Sequence, residues 1–278
     1  MLVHGTKDFE NGDTYDGELV RNRADKLVPN GRGVMQYACG DRYEGGWHDG
    51  LRHGDGVLTV KRTGRRLSGR FAAGALPKQG ELRLPGARLY RGALHDGLPH
   101  GVGCFEWQQQ GDMYRGCFEN GRRNGQGTLS WADTKESYSG SWTDDEPFGT
   151  GDCHYRYAKG ERYEGGWDNG RHGDGAMRYP DGRIVRGKFQ RDALPRIGCV
   201  IMPSGEKYEG PLQDGQPCGQ QASYSWPQYK VTYRGAMCAG RPHGQGRCDW
   251  PAEGLQYVGQ VSKDDIGLRV ARARALLE

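Results

Sequence analysis

Four histidines share one local setting: His53-Gly54, His100-Gly101, His172-Gly173 and His243-Gly244, each with a second glycine two residues after the first. Imidazole binds zinc and moves protons near neutral pH, so the pattern raises the chemistry of a metal centre or a hydrolase. Eight cysteines, at 39, 104, 117, 153, 199, 218, 238 and 248, add thiol chemistry. Spacing argues against both. No CxxC pair occurs, and the histidines fall at the same turn of different repeats. With two strands per repeat at roughly 4.8 Å each, equivalent residues in neighbouring repeats are about 10 Å apart. Zinc holds its ligands about 2 Å from one centre. Asn30, Asn124, Phe148 and Cys218 stand in the histidine's place elsewhere, so that position does not depend on imidazole. The histidines are expected to serve turns and the cysteines to be free, half-buried thiols of a reducing compartment. No catalytic residue, metal ligand or cofactor is expected. GxG recurs throughout but joins strand to strand and never opens a helix, which excludes a dinucleotide or phosphate loop.

The elements that carry these residues come from repetition. YEGGWHDGLRHGDG, Tyr43 to Gly56, returns one residue shorter as YEGGWDNGRHGDG, Tyr163 to Gly175. The same frame occurs eleven times, beginning at Tyr15, Tyr43, Leu67, Tyr90, Tyr114, Tyr138, Tyr163, Val185, Tyr208, Tyr233 and Tyr257, in steps of 22 to 28 residues. Glycine always follows two residues after the anchor, and a bulky apolar residue two further on. Side chains alternate along a strand, so Tyr43, Gly45 and Trp47 share one face while Glu44 and Gly46 share the other. Asp49-Gly50, Asp96-Gly97, Asn120-Gly121, Asn169-Gly170 and Asp214-Gly215 supply hairpin turns. A second strand starts at the HGxG element and places Leu58 and Val60, Phe105 and Trp107, or Met177 and Tyr179 on one face. A Cβ at the glycine between two aromatics is expected to clash with rings lying over it. The opposite face is polar, with Glu44, Arg91, Arg115, Glu164, Arg186 and Arg234.

Composition agrees. The 278 residues include 48 Gly, 15 Tyr and 7 Trp, with 35% hydrophobic residues and a mean hydropathy of -0.88. That suits many short strands and tight turns better than helices or a disordered chain. No apolar run approaches the ~20 residues of a membrane span, and the start lacks a secretory pattern. A soluble cytoplasmic protein is expected. The formal charge of +4 does not imply nucleic acid.

These residues resemble the MORN repeat (membrane occupation and recognition nexus), whose pattern is close to YxGxWxxGxxHGxGxxxxxxG. Tyr43 to Gly56 and Tyr163 to Gly175 match it nearly residue for residue. The resemblance runs from about Tyr15 to Val261. It implies an all-β fold, an elongated, twisted antiparallel meander of repeated β-hairpins with an aromatic groove. It also implies an interaction scaffold at cytoskeletal or membrane-associated structures, with phosphoinositide binding proposed for some members. Departures occur at Leu67 and Val185, followed by Ala75-Leu76-Pro77 and Ala193-Leu194-Pro195; these predict an irregular spot that bends the array. The first repeat carries an insertion, Arg23 to Pro29, and Cys218-Gly219-Gln220-Gln221 loses the second glycine of the ninth.

The expected organisation is a capping strand in 1–14, the repeat array in 15–262 and a short amphipathic capping helix in 263–278. In that helix Ser262 and Asp265 fit a capping box, and Ile266, Val270, Ala273 and Leu277 share a face. The leading functional expectation is a non-catalytic scaffold. Its groove of Tyr43, Trp47, Tyr90, Tyr114, Phe118, Tyr138, Trp142, Tyr163 and Trp167 would take an amphipathic helix or a second copy of the chain. A ladder that only packs on itself is the alternative for those same residues. The second expectation is an acidic-membrane or phosphoinositide module using Lys61, Arg62, Arg65, Arg66, Arg122 and Arg123.

Overall fold

Each hairpin is set by its turn. In the computed structural model, which describes residues 2–261, Asp49 and Gly50 have φ of 47° and 80°. Positive φ at both central residues is the turn whose twist matches that of paired strands. Asp96-Gly97, Asn120-Gly121, Asn169-Gly170 and Asp214-Gly215 repeat it, and so do Ala73-Gly74, Asp144-Asp145, Arg191-Asp192 and Ala239-Gly240, which carry a weaker turn signature.

The described residues form 23 strands and one short 3-10 helix, Pro227–Tyr229. The fold is all-β, an antiparallel meander of hairpins. The chain divides into two compact units: residues up to Ser137 with Trp142–Glu146, and Tyr138–Ser141 with Pro147 onward. In the first, Thr14–Arg21 pairs with Leu27–Gln36, Arg42–His48 with Leu51–Val60, Arg88–His95 with Leu98–Trp107 and Asp112–Glu119 with Arg122–Ser130. In the second, Arg162–Asp168 pairs with Arg171–Arg178 and Val231–Cys238 with Arg241–Trp250. Val3–Asp8 pairs with Thr14–Arg21 across the turn at Phe9–Asp13.

The HG element is a bulge. Gly45 opposes Gly56 and Trp47 opposes Arg52, so His53, Gly54 and Asp55 together face Gly46 alone. Gly54 has φ of 73°, the left-handed backbone that such a bulge requires. A Cβ on Gly46 would lie 2.1 Å from the His53 carbonyl oxygen. The same interruption recurs between Gly92 and Leu94, Gly116 and Phe118, Gly165 and Trp167, and Gly235 and Met237.

The irregular repeats keep the frame by another means. Leu67 and Val185 have no ring to lie over Gly69 and Gly187, and the rings of Pro77 and Pro195 take that space. A Cβ on either glycine would come within 2.7 Å of the proline Cβ. The insertion after the first anchor lengthens a hairpin, with Val20 opposite Val28, Arg21 opposite Leu27 and a turn over residues 22–26. In the ninth repeat the second strand is split into Gln216–Pro217 and Gly219–Trp226, and Ala222 opposes Gly235 where a glycine stands elsewhere. The capping helix expected over 263–278 lies outside the described residues.

Candidate partner-binding face over a buried aromatic ladder

The anchor tyrosines do two things at once. Each ring lies across the glycines of its own strand and the next. A Cβ on Gly56 would sit 2.3 Å from the Tyr43 hydroxyl, and one on Gly103 2.4 Å from the Tyr90 ring. On its own strand the glycine also meets backbone, since a Cβ on Gly45 would be 2.5 Å from the Cα of Gly56. Each hydroxyl then donates to the carbonyl three residues on. Tyr43 reaches Gly46 at 3.1 Å, Tyr90 reaches Ala93 at 2.6 Å and Tyr114 reaches Cys117 at 3.1 Å. Tyr138 reaches Ser141 at 3.0 Å, Tyr163 reaches Gly166 at 2.8 Å and Tyr233 reaches Ala236 at 2.9 Å. The acceptor is the residue opposite the bulge, so the hydroxyl satisfies a carbonyl beside the break in the ladder.

The bulky residue two places on fills the space between successive tyrosines. Trp47 stands edge-on to Tyr15 and Tyr43, with centroids 5.4 and 5.1 Å away. Phe118 does the same between Tyr90 and Tyr114, at 5.1 Å from each. Trp142 meets Tyr114 at 5.2 Å and donates its indole N–H to the Gly127 carbonyl at 3.1 Å. In the second unit Trp167 meets Tyr138 at 5.3 Å and stacks on Tyr155 at 5.1 Å. Such edge and offset pairs add to area burial. All nine residues expected to line the groove are buried, from complete burial of Tyr43, Tyr90 and Tyr114 to 9% exposure at Trp167. Burial pushes the phenol pKa of Tyr43, Tyr90, Tyr114 and Tyr163 up to about 12.

Beside this ladder on the same face, along the second strands of the hairpins, runs a row of half-buried aromatic and aliphatic residues, with Phe105 opposite Tyr90 and Tyr114 and Tyr155 opposite Tyr163. In the first unit it comprises Tyr37, Val60, Phe105 and Trp107, and in the second Tyr155, Tyr157, Tyr179 and Trp226. Arginines lie among them. Arg123 is held 4.3 Å over Trp142 and 6.0 Å from Trp107, and Arg171 lies 5.5 Å from Phe189 and 5.8 Å from Tyr157. Each is fixed by an aspartate of the following turn. Asp145 Oδ1 accepts from the amide and Nε of Arg123 at 3.0 and 2.9 Å, and Asp192 Oδ1 accepts from those of Arg171 at 2.9 and 3.2 Å. Reading the strands by alternation missed this arrangement. Its signal is an Arg where five repeats carry Pro, as at Pro29, Pro99 and Pro242, followed by Asp where most turns carry Gly.

The six candidate headgroup residues divide. Arg122 pairs with Asp144 at 3.3 Å and Arg123 with Asp145 at 2.9 Å, and Arg123 is only 18% exposed. Lys61, Arg62, Arg65 and Arg66 are exposed around one turn and make no ion pair among the described residues. Arg66 also lines a shallow groove of about 650 Å³ on the polar face, with Arg32, Glu44, Asp55 and Ser68. The histidines of the HG elements stay on their separate bulges, and among the described residues no group of three or more His, Cys, Asp or Glu could hold a metal ion. The described residues contain no helix long and apolar enough to cross a membrane.

Glycine–tyrosine packing, a two-residue turn and an HG bulge, repeated along the chain, define a repeat protein of stacked hairpins. The MORN repeat family model matches residues 43–59, 90–111, 114–134, 138–156, 163–182 and 233–253, and the chain is a MORN-repeat protein. Six of the eleven frames are matched in this way. Among solved structures, the SAS-4 (dCPAP) TCP domain of Drosophila melanogaster, in complex with a proline-rich motif of Ana2 (dSTIL), is similar at 10% identity. That match covers 66% of this chain and 90% of that one, with a TM-score of 0.38. The TCP10 domain of Danio rerio CPAP, in complex with a STIL peptide, is similar at 11% identity over 85% of this chain and 98% of that one, with a TM-score of 0.33. Likenesses of that size carry no inference about this chain's partner. No relative was found among curated proteins.

Proposed function

We propose that the chain is a non-catalytic scaffold that holds a segment of a partner protein, a helix or a second copy of the chain, on the aromatic face of its hairpins. The observation that carries this is the division of that face by burial. The nine ladder residues are already covered by the chain's own rings. Beside them, half-buried Tyr37, Phe105 and Trp107 in the first unit and Tyr155, Tyr157 and Tyr179 in the second leave ring surface accessible. Rigid aromatic anchors with arginine beside them are the side chains on which binding energy concentrates. A partner contacts the half-buried row and leaves the buried ladder undisturbed. Trp107→Glu is expected to abolish partner capture with an unchanged melting temperature, whereas Trp142→Glu unfolds the protein. Proteins retained by the immobilised wild-type chain would be compared with those retained by the Trp107→Glu chain by quantitative mass spectrometry. Identical sets would sink the reading.

A second reading rests on one observation, the four cations Lys61, Arg62, Arg65 and Arg66 at one turn, which make no ion pair among the described residues. Basic clusters attract acidic headgroups at roughly 1 kcal/mol per well-placed charge. Co-sedimentation with phosphoinositide vesicles at physiological salt, lost in Arg65→Glu/Arg66→Glu and kept in Arg122→Glu, would support it. Binding that disappears on adding salt would leave the scaffold alone.

A further inference from the structure

Three arginines occupy one position of the repeat. Arg52, Arg123 and Arg171 each stand just before the HG element, on the aromatic face, where five other repeats carry proline (Pro29, Pro99, Pro147, Pro217 and Pro242) and the two irregular ones carry Leu76 and Leu194. The backbone around them is the same each time. The second residue of the following turn donates its amide to the arginine's carbonyl, with Gly74 to Arg52 at 2.9 Å, Asp145 to Arg123 at 3.0 Å and Asp192 to Arg171 at 3.1 Å. That residue's own carbonyl accepts from Nη2, at 2.8 Å for Arg52 and Arg123 and also in the Arg171–Asp192 pair. Its φ is 84°, 73° and 67° in turn. Each guanidinium lies beside two or more rings, Arg52 at 5.9 Å from Tyr43 and 5.5 Å from Phe71.

The three differ in one group. At Arg123 and Arg171 the turn residue is aspartate, and its Oδ1 bridges the arginine's amide and Nε. At Arg52 the turn residue is Gly74, and no side chain among the described residues accepts from the Arg52 amide or Nε. The Arg52 position therefore carries the donors of this carboxylate site without the carboxylate. A half-buried guanidinium flanked by rings favours a planar anion that its Nε can meet in line. Leu51, half exposed, borders the position, and a Cβ on Gly74 would meet its Cδ2 at 3.6 Å, an ordinary contact.

We infer that Arg52 is a binding site for a carboxylate of a partner polypeptide, which takes the place that Asp145 and Asp192 fill from within the chain. The inference deepens the scaffold reading by naming the chemistry of one anchor point on the partner.

The test uses the full chain and small probes. The Nε–H resonance of Arg52, assigned with Arg52→Lys, is followed by NMR as N-acetyl-aspartate amide is added, with N-acetyl-asparagine amide as the neutral control and inorganic phosphate as the tetrahedral anion. A saturable shift at Arg52 with the aspartate probe alone is expected. Gly74→Asp supplies the carboxylate internally and is expected to abolish the shift. Asp192→Gly is expected to create a second responding arginine at Arg171. Each variant's melting curve shows whether it is folded. If Gly74→Asp does not fold, the Asp192→Gly comparison decides alone. A shift no larger than that of exposed Arg70, a response surviving Gly74→Asp, or a stronger response to phosphate would overturn the carboxylate assignment. The scaffold reading stands or falls separately, because the Trp107→Glu comparison requires no response at Arg52.

Discussion

At the scale of single residues, the tyrosine and the glycines beneath it are one device. Removing the hydroxyl and adding a methyl should therefore have very different effects. Tyr90→Phe loses one hydrogen bond to the Ala93 carbonyl and is expected to lower stability by about 1 kcal/mol. Gly103→Ala drives a Cβ to 2.4 Å from the Tyr90 ring, with an expected loss of about 3 kcal/mol, the upper range for overpacking. Urea titrations of the two variants would show the difference; equal effects would mean that the ring yields. Titration of the phenols gives a second check. Desolvation raises the pKa of Tyr15, Tyr43, Tyr90, Tyr114 and Tyr163 from 10.0 to about 12. The neutral form is the one the fold favours, so this stability is fully present below pH 10 and is lost as pH rises toward 12. Tyrosinate absorbance should rise late and coincide with loss of β-sheet circular dichroism. An early rise with the sheet intact would mean that the rings are accessible.

At the scale of the hairpin, turn and bulge are coupled across repeats. The Arg–Asp contact ties the second strand of one hairpin to the turn of the next, at the expense of aspartate in left-handed backbone, φ 67° at Asp192. Replacing Asp192 with alanine removes the carboxylate and keeps a Cβ in that backbone, for an expected loss of about 1–2 kcal/mol. Asp192→Gly removes the same carboxylate but relieves the backbone and should lose less. Chemical denaturation orders both variants and the wild type; an Asp192→Ala protein as stable as the wild type would disprove the coupling, and an Asp192→Gly protein less stable than Asp192→Ala would disprove the backbone account. The turns themselves were legible in the sequence wherever Asp-Gly or Asn-Gly occurs. Ala73-Gly74 and Arg191-Asp192 were not, because alanine and arginine have no local preference for positive φ, and the register of the flanking strands imposes it.

At the scale of the whole molecule, the second unit repeats features of the first in the same order. Tyr43 and Tyr163 open the same phrase, Leu67 and Val185 replace the anchor, and Pro77 and Pro195 fill the space above Gly69 and Gly187. Within each unit strands pair with their neighbours in sequence, so stability is assembled from adjacent repeats. A fragment of residues 1–146 is therefore expected to fold alone, with β-sheet circular dichroism and a cooperative melt. A fragment lacking such a transition would show that the first unit depends on the rest of the chain.

Period-two alternation, glycine spacing and turn chemistry act over a few residues. By themselves they determined the hairpins, the repeat frame, the all-β class and the MORN resemblance. Local rules also placed Tyr43, Trp47 and their equivalents correctly on one face. They could not say what covers that face, because a ring two residues from a glycine reaches either a partner or that glycine, depending on how close the next strand comes. The tertiary structure decided this. The bulge brings Gly45 and Gly56 together beneath Tyr43, which buries the ladder, while the neighbouring row of Tyr37, Phe105 and Trp107 stays half-buried. It also decided the fate of the charges. Asp144 and Asp145 reach Arg122 and Arg123 only when the two turns lie side by side, a proximity set by strand pairing across more than twenty residues of chain.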